Sequence, residues 1–298
     1  MQGTVYNGIA VIGYNRPEYF KPTLESIARN PESQQWPVFI FLDGIYGTAQ
    51  KQQEEIALKH IPNATIIRRN QKLGCGRNII DAKRHMFDKE GFDRVWVFED
   101  DLVITDNYCT FIGKLLDWSL ENYDNVGMVQ GWGYGQPDEI SSILYQIEPT
   151  FDNLWGYCQT RKCWDNVKNY LYEYRKFFLD CDYSKKDNKG IQKWMVEFLA
   201  SGLKNPRSFS KECHQQALVD HYSDRFWKYP APGQDGVTLF SLRAEGYVRL
   251  RPTVRRAKNI GAVGLHMRKE HFIELGFDKH EIYESCEDIN PNFYYIKE

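Results

Sequence analysis

The sequence predicts an α/β fold with a mostly parallel central sheet flanked by helices. Two patterns lead to it. In the first half, apolar runs of strand length alternate with segments whose apolar residues recur every three or four positions, the pattern of strand–helix–strand crossovers that build parallel sheets. Three of those runs end on polar residues, Asn15-Arg16, Asp43-Gly44 and Glu99-Asp100-Asp101, which places all three at one edge of the sheet. In such sheets ligands sit beyond the carboxyl ends of the strands. The 298 residues suffice for one large core, or for one domain with a smaller lobe.

Taken in order, Gly8 to Tyr14 reads as a buried strand that Arg16-Pro17 ends. Phe20, Leu24 and Ile27 then recur at helical spacing, and Pro22 leaves open whether that helix starts at once or one turn later. Val38 to Leu42 is the second strand and Gln50 to His60 a polar helix. Ala64 to Ile67 is a third, short strand, and Ile79, Ala82 and Met86 place a helix on the sheet. Asp93 to Phe98 is the fourth strand, followed by a helix marked by Phe111, Leu115 and Trp118. From about Asn125 the pattern is less regular. Cys158 to Tyr170 reads as a helix behind Trp155-Gly156-Tyr157, and the lysine-rich stretch Asp182 to Lys193 as a mobile loop.

Composition narrows the function classes. Hydrophobic residues at 42% and charged residues at 26% are ordinary for a soluble globular protein. The formal net charge of -2 supplies no field for nucleic acid. Aromatic residues reach 15%, which suits a groove with flat apolar walls and equally suits a dense core. The 7 cysteines are odd in number and scattered without metal-type pairing, which points to a reducing cytosol. Met1 to Asn7 lacks a basic-then-apolar signal pattern, and no apolar run approaches membrane-spanning length.

The acidic triplet is the most informative local feature. Glu99, Asp100 and Asp101 follow Val95-Trp96-Val97-Phe98, so three negative charges emerge together from an apolar strand. Such charges repel one another and lose water, and a hard divalent ion with oxygen ligands compensates them. A plain alternative is that Asp101 or Asp106 opens the following helix as an N-cap. Gly74-Cys75-Gly76-Arg77-Asn78 opens the third helix; its amides lie near a nucleotide or simply form a tight turn, and it is no dinucleotide fingerprint. Arg249, Arg251, Arg255, Arg256 and Lys258 form a basic strip, read either as a diphosphate or anionic lipid-linked acceptor site or, for most of it, as a solvated face.

These pieces together resemble a glycosyltransferase of the glycosyltransferase-A fold, most nearly the N-acetylglucosaminyltransferase I type and bacterial family-two-like enzymes. The matching residues are Tyr14-Asn15-Arg16-Pro17, Leu42-Asp43-Gly44, Val97 to Leu102, Leu154-Trp155-Gly156, Gln234-Asp235-Gly236, and Asn259-Ile260-Gly261 with His266. Gly233-Gln234 before Asp235 departs from the family's frequent aromatic, and Lys176 to Ser210 matches nothing in it. The resemblance implies a single Rossmann-like domain over 1–298, with a nucleotide-binding half at 1–124 and an acceptor-binding half at 125–298.

It also implies roles. Asp101 would ligate Mn²⁺ or Mg²⁺, with His266 reaching the metal or diphosphate from a closing loop. Glu99 and Asp100 would face the ribose and the metal's water shell. Asn15, Arg16, Asp43, Lys72 and Arg77 would contact the nucleotide, and Trp132, Trp155 and Tyr157 the acceptor sugar. Asp235 would be the base for inversion at the anomeric carbon. Each has a plainer reading: an Asp-Gly turn for Asp43, a solvated residue before a helix-opening proline for Arg16, an N-cap for Asp235, a structural imidazole for His266, and core filling for the aromatics. The expected partners are a nucleotide sugar, UDP by resemblance, and a glycan or lipid-linked saccharide. The expected location is cytoplasmic, with peripheral contact at the inner face of a membrane. Two other classes remain: a sugar-phosphate nucleotidyltransferase, against which Gly13 to Pro17 lacks a Gly-rich basic phosphate loop, and a non-catalytic carbohydrate-binding protein, which has no need of three clustered acids.

Overall fold

Runs of buried aliphatic and aromatic residues make β1 (Asn7–Gly13), β2 (Val38–Leu42) and β4 (Arg94–Glu99) the centre of the sheet. The computed structural model describes residues 4–133, 143–150, 153–181, 185–200, 231–264, 267–285, 288 and 290–295. The remaining strands are β3 (Thr65–Arg68), β5 (Leu102–Ile104), β6 (Val126–Gln130), β7 (Gln146–Pro149), β8 (Tyr157–Thr160), β9 (Val248–Pro252), β10 (Ala257–Asn259) and β11 (Tyr294–Tyr295). Among the described residues one sheet runs in the order β11-β7-β9-β6-β8-β4-β1-β2-β3. β1 pairs in parallel with β2 and β4, and β2 with β3. The chain therefore leaves β1 first to one side, for β2, and later to the other, for β4, and the crevice between such diverging connections is where α/β sheets bind ligands.

The helices are α1 (Pro17–Arg29), α2 (Glu32–Gln35), α3 (Thr48–His60), α4 (Cys75–Arg84), α5 (Tyr108–Asn122), α6 (Arg161–Tyr174), α7 (Asn188–Ala200), α8 (Gln234–Ala244) and α9 (Lys269–Glu274). Alternation along the strands sorts the core into two layers. Ile9, Val11, Ile40, Trp96 and Phe98 meet α1 and α5 on one face, through Phe20, Leu24, Phe111 and Leu115. Ala10, Ile12, Phe41, Val95 and Val97 meet α4, α6 and α8 on the other, through Ile79, Ile80, Trp164, Leu171 and Phe240. Each large apolar side chain so buried stabilises the fold by about 1.5–3 kcal/mol.

Several elements differ from the sequence reading. α1 begins at Pro17, and Pro22 sits inside it. Proline at the first position is preorganised for a helix, and the carbonyl Pro22 leaves without a helical donor belongs to Glu18, an exposed residue that water reaches. Cys158–Thr160 is strand, with the helix starting at Arg161. This segment is inserted antiparallel between β4 and β6, where all four residues of β8 are buried, and Thr160 Oγ1 accepts the Cys163 amide hydrogen at 3.2 Å to begin α6. Within the stretch read as a loop, Asn188 to Lys193 is helical, because Ile191 and Met195 form a buried edge that the surrounding lysines mask in the sequence.

The basic strip is buried, with no solvated face at its arginines. Arg249, Arg251, Arg255 and Arg256 are 2%, 4%, 1% and 0% exposed. Arg256 pairs with Asp288 at 2.9 Å and lies over the Phe111 ring, and Arg251 pairs with Glu148 at 2.8 Å. Arg249 and Arg255 donate to the Thr150 and Glu281 carbonyls. These arginines tie β9 and the C-terminal segment to the sheet, which leaves them poorly placed for an anionic membrane surface. Among the described residues no helix is long and apolar enough to cross a membrane.

Candidate active site

The three polar strand ends converge on one cleft of about 750 Å³ at the carboxyl edge of β1, β2 and β4. Asn15 and Arg16 line it after β1, Asp43 after β2, and Glu99, Asp100 and Asp101 after β4. Lys72, Cys75 and Asn78 enter from the start of α4, and Trp155 from the turn before β8. The far wall is the segment after β10, from Asn259 to Met267, as far as it is described.

That far wall is fixed to the acids by a small ribbon. β5 follows the triplet directly and pairs antiparallel with β10, Leu102 opposite Asn259. The Ile260 amide donates to the Asp101 carbonyl at 2.8 Å, and Asn259 Nδ2 donates to Asp101 Oδ1 at 3.4 Å. Gly261 packs against the Asp101 carboxylate so closely that a Cβ there would lie 2.2 Å from Oδ2.

Arg16 Nη2 donates to Asp100 and, at 2.8 Å, to Asp101 Oδ2, so one cationic nitrogen bridges two carboxylates. Its other terminal nitrogen donates to the Val263 carbonyl at 3.4 Å. Burial works against the guanidinium's charge, and the two carboxylates outweigh it and raise its pKa. Asp100 is pushed up to about 6, first by burial and then by repulsion from Asp101, with Arg16 opposing both.

Asp43 is buried and organises the loop before α4. Its Oδ1 accepts the amides of Gly44 at 2.8 Å and Leu73 at 2.7 Å, and its Oδ2 accepts that of Gly74 at 2.9 Å. Gly74 itself has a φ of 81°, a left-handed conformation that favours glycine, and it is the residue from which α4 starts. Lys72 stands at the mouth with its ammonium 5.0 Å from the centre of the Tyr14 ring.

Glu99 projects to the opposite face of the sheet from Phe98, the face that carries Val95 and Val97. Cys75 Sγ, in the first turn of α4, lies 3.6 Å from its Oε2. Asp235, in the first turn of α8, is its main charged neighbour. Burial raises the Glu99 pKa, and Asp235, Asp101 and Asp100 raise it further. Asp235 is itself raised by burial, against the pull of Arg249, the Leu154 amide and Lys83. Two carboxylates thus feel each other near the starts of two helices, whose partial positive charges favour anions.

The structure brings Asn15, Arg16, Asp43, Lys72, Glu99, Asp100, Asp101 and Trp155 to one cleft. Asp235 stands beside Glu99, outside the residues that line it. Arg77 is turned to Asp180 at 3.0 Å. Trp132 is 4% exposed and meets Trp155 edge-on at 5.0 Å, and Tyr157 is 2% exposed. Of the three aromatic residues expected to meet an acceptor, Trp155 is therefore the one whose side chain reaches the cleft. His266 lies outside the described residues. Sequence reasoning missed Cys75 and Lys83. Lys83 carried a signal, since it falls in the buried stripe of Ile79, Ile80 and Met86.

The profile of glycosyl transferase family 2 matches residues 9–182, more than half of the chain, including the carboxyl ends of β1, β2 and β4 that carry the cleft. The chain belongs to that family. It is a glycosyltransferase with the mixed α/β architecture of the glycosyltransferase-A fold. A comparison with curated protein sequences finds no match. Among solved structures it is similar to S. aureus TarS 1-349 in complex with UDP, at 16% identity over 74% of this chain and 73% of that one, with a TM-score of 0.45. It is also similar to GalNAc-T7 with UDP, GalNAc and Mn²⁺, at 10% identity over 56% and 37%, TM-score 0.39. A third is glucosyl-3-phosphoglycerate synthase from Mycobacterium tuberculosis with Mn²⁺, UDP-glucose and phosphoglyceric acid, at 12% identity over 59% and 66%, TM-score 0.38.

The fold family implies a divalent ion, and the residues present fit one. Oxygens of Asp100 and Asp101 converge on a single cationic nitrogen, that of Arg16, so the geometry already gathers hard donors around positive charge. Among the described residues no group of three or more His, Cys, Asp or Glu side chains is arranged for a metal. An ion held by Asp100 or Asp101 would have phosphate oxygens and water to complete its shell.

Proposed function

We propose that this glycosyltransferase moves a sugar from a UDP-sugar to a hydroxyl of a glycan or lipid-linked saccharide, with inversion and with Mn²⁺ or Mg²⁺ as cofactor. The observation that carries this reading is the meeting of Arg16, Asp43 and the Glu99–Asp101 acids in one cleft at the carboxyl ends of β1, β2 and β4. Uridine comes from the resemblance of the motif set.

In this reading the chain is one domain, and Asp101, with His266, holds the metal. A bound ion would neutralise charge on the leaving diphosphate. Asp43 and Asn15 hold the base and ribose, with Glu99 and Asp100 towards the ribose and the ion's waters. Lys72, Arg77 and Arg16 supply positive charge to the diphosphate. The acceptor rests against Trp155, with Trp132 and Tyr157 behind it. Asp235 takes the proton of the acceptor hydroxyl. The hydroxyl oxygen forms the new bond to the anomeric carbon as the bond to the diphosphate oxygen breaks, and that oxygen leaves with the electron pair.

Titration calorimetry of UDP with and without Mn²⁺ tests the donor site. Enhancement by Mn²⁺ is expected, with loss of that enhancement in Asp101→Ala. Equal binding with and without the ion, or preference for another nucleotide, overturns the donor assignment. Asp235→Asn should bind donor normally and transfer roughly 10²–10⁴ times slower. Proton NMR of the first product should show the anomeric configuration opposite to that of the donor, and retention would overturn the mechanism.

A further inference from the structure

Behind Asp235 the structure holds a buried ammonium that the reaction as described does not use. Lys83, on α4, is 0% exposed, and its Nζ has no hydrogen-bond partner. It stands 5.2 Å from the ring centre of Trp164 and 5.7 Å from that of Tyr157. An unpaired ammonium is among the costliest groups to bury, and a methionine would fill the same stripe of α4 without that cost. Such a group is kept where its charge does something.

The groups around it point to what that is. Asp235 on α8 is the carboxylate within electrostatic reach of Lys83, and Cys163 on α6 is its other titratable neighbour. Tyr157 on β8, whose ring Lys83 approaches, feels Asp235, Glu99 on β4, Arg249 on β9 and Cys75 on α4. The Tyr157 hydroxyl, both amide atoms of Gln130 and Oε1 of Gln159 are buried without partners on the same face of the sheet, where Gln130 pairs with Tyr157 across β6 and β8. This is a polar layer beneath the two carboxylates, with one ammonium in it and bonding capacity left for bridging water.

We propose that Lys83 is a positioning residue for proton transfer: its fixed charge, applied from behind, keeps Asp235 ionised beside Glu99 so that it is ready to accept the acceptor's proton. The need follows from the site. Burial favours a protonated carboxyl, and a protonated Asp235 is no base. Arg249 pulls the same way, anchored through Nε to the Thr150 carbonyl. Lys83 is buried away from bulk solvent, so its influence per unit distance is larger than that of a surface lysine. Burial lowers the Lys83 pKa to about 8, so it remains a cation at neutral pH.

The inference rests on Asp235 being the base, and the experiment separates the two. The pH dependence of kcat is measured for wild type, Lys83→Met, Lys83→Gln, Lys83→Arg and Asp235→Asn, with UDP affinity in Mn²⁺ for each. In both neutral variants the acidic limb should move up by about one pH unit, the scale of a nearby opposite charge, with turnover recovering at high pH and UDP affinity unchanged. Lys83→Arg keeps the charge and should keep the limb within a few tenths of a unit of wild type. A limb that does not move in the neutral variants while Asp235→Asn is inactive overturns the role of Lys83 alone. An active Asp235→Asn overturns the base assignment, and this inference with it. If neither neutral variant folds, or if both lose turnover equally at every pH, Lys83 is structural and the inference falls.

Discussion

Gly261→Ala isolates the position of the Asp101 carboxylate, because the substitution adds one methyl group and touches that residue alone among its nearest neighbours. The new Cβ would lie 2.2 Å from Asp101 Oδ2, 2.9 Å from Cγ and 3.1 Å from Cβ. Reaching even 3.0 Å, a separation real Cβ contacts essentially always exceed, requires a shift of at least 3.0 − 2.2 = 0.8 Å. The shift has few places to go. The β5–β10 ribbon fixes both backbones, the Ile260 amide bonds the Asp101 carbonyl at 2.8 Å, and Arg16 and Asn259 hold the carboxylate itself. Overpacking of this kind costs about 1–3 kcal/mol. A misplacement near 1 Å in a reacting constellation costs about 10²-fold in rate. Gly261→Ala should therefore lower kcat by roughly two orders of magnitude and weaken Mn²⁺ in titration calorimetry, with a modest loss of stability in urea. Gly113→Ala, inside α5, is the control. Its Cβ would meet Trp96 at 3.6 Å, an ordinary contact away from the cleft, so its effect on turnover should be small. Wild-type turnover and Mn²⁺ affinity in Gly261→Ala would show that the Asp101 carboxylate is not needed where the structure holds it.

Arg16 competes for the oxygens that the proposed ion would use, so Arg16→Gln should bind Mn²⁺ more tightly without nucleotide and bind UDP more weakly in its presence. Unchanged Mn²⁺ affinity in calorimetry would refute the competition. Asp43→Asn turns an acceptor of three backbone amides into a group with one oxygen, leaving an NH₂ against at least one of the three, and should cost about 1–3 kcal/mol in urea unfolding. A loss of UDP affinity without that loss of stability would instead assign Asp43 to the ligand alone. His280, between Trp132 and Phe277, is held down to about 4 by burial and by Arg255. The folded chain then binds fewer protons than the unfolded chain between pH 4 and an ordinary histidine value of about 6.5. Its contribution is present above that window and is lost as pH falls through it. His280→Phe should flatten thermal stability over the same range, and an unchanged slope would exclude the residue.

What the sequence made legible is the part of the site that local chemistry dictates. A strand buried on both faces must be apolar throughout, so the residues that break the pattern, Arg16, Asp43 and the Glu99 to Asp101 acids, announce themselves at its end, and the parallel register gathers those ends at one edge. What it concealed depends on partners distant in the chain. The β8 segment Tyr157-Cys158-Gln159-Thr160 has no period of its own and becomes a strand only because β4 and β6 leave a gap that needs backbone bonds on both sides. Arg251 and Arg256 look solvated until Glu148 and Asp288 are brought to them. Lys83 shows the limit most clearly. Its place on the apolar stripe of α4 is readable in the sequence and by itself assigns it no role. Only the tertiary structure sets Asp235, from a helix some 150 positions later, within reach of its charge, and so turns an anomaly of the stripe into a candidate part of the chemistry.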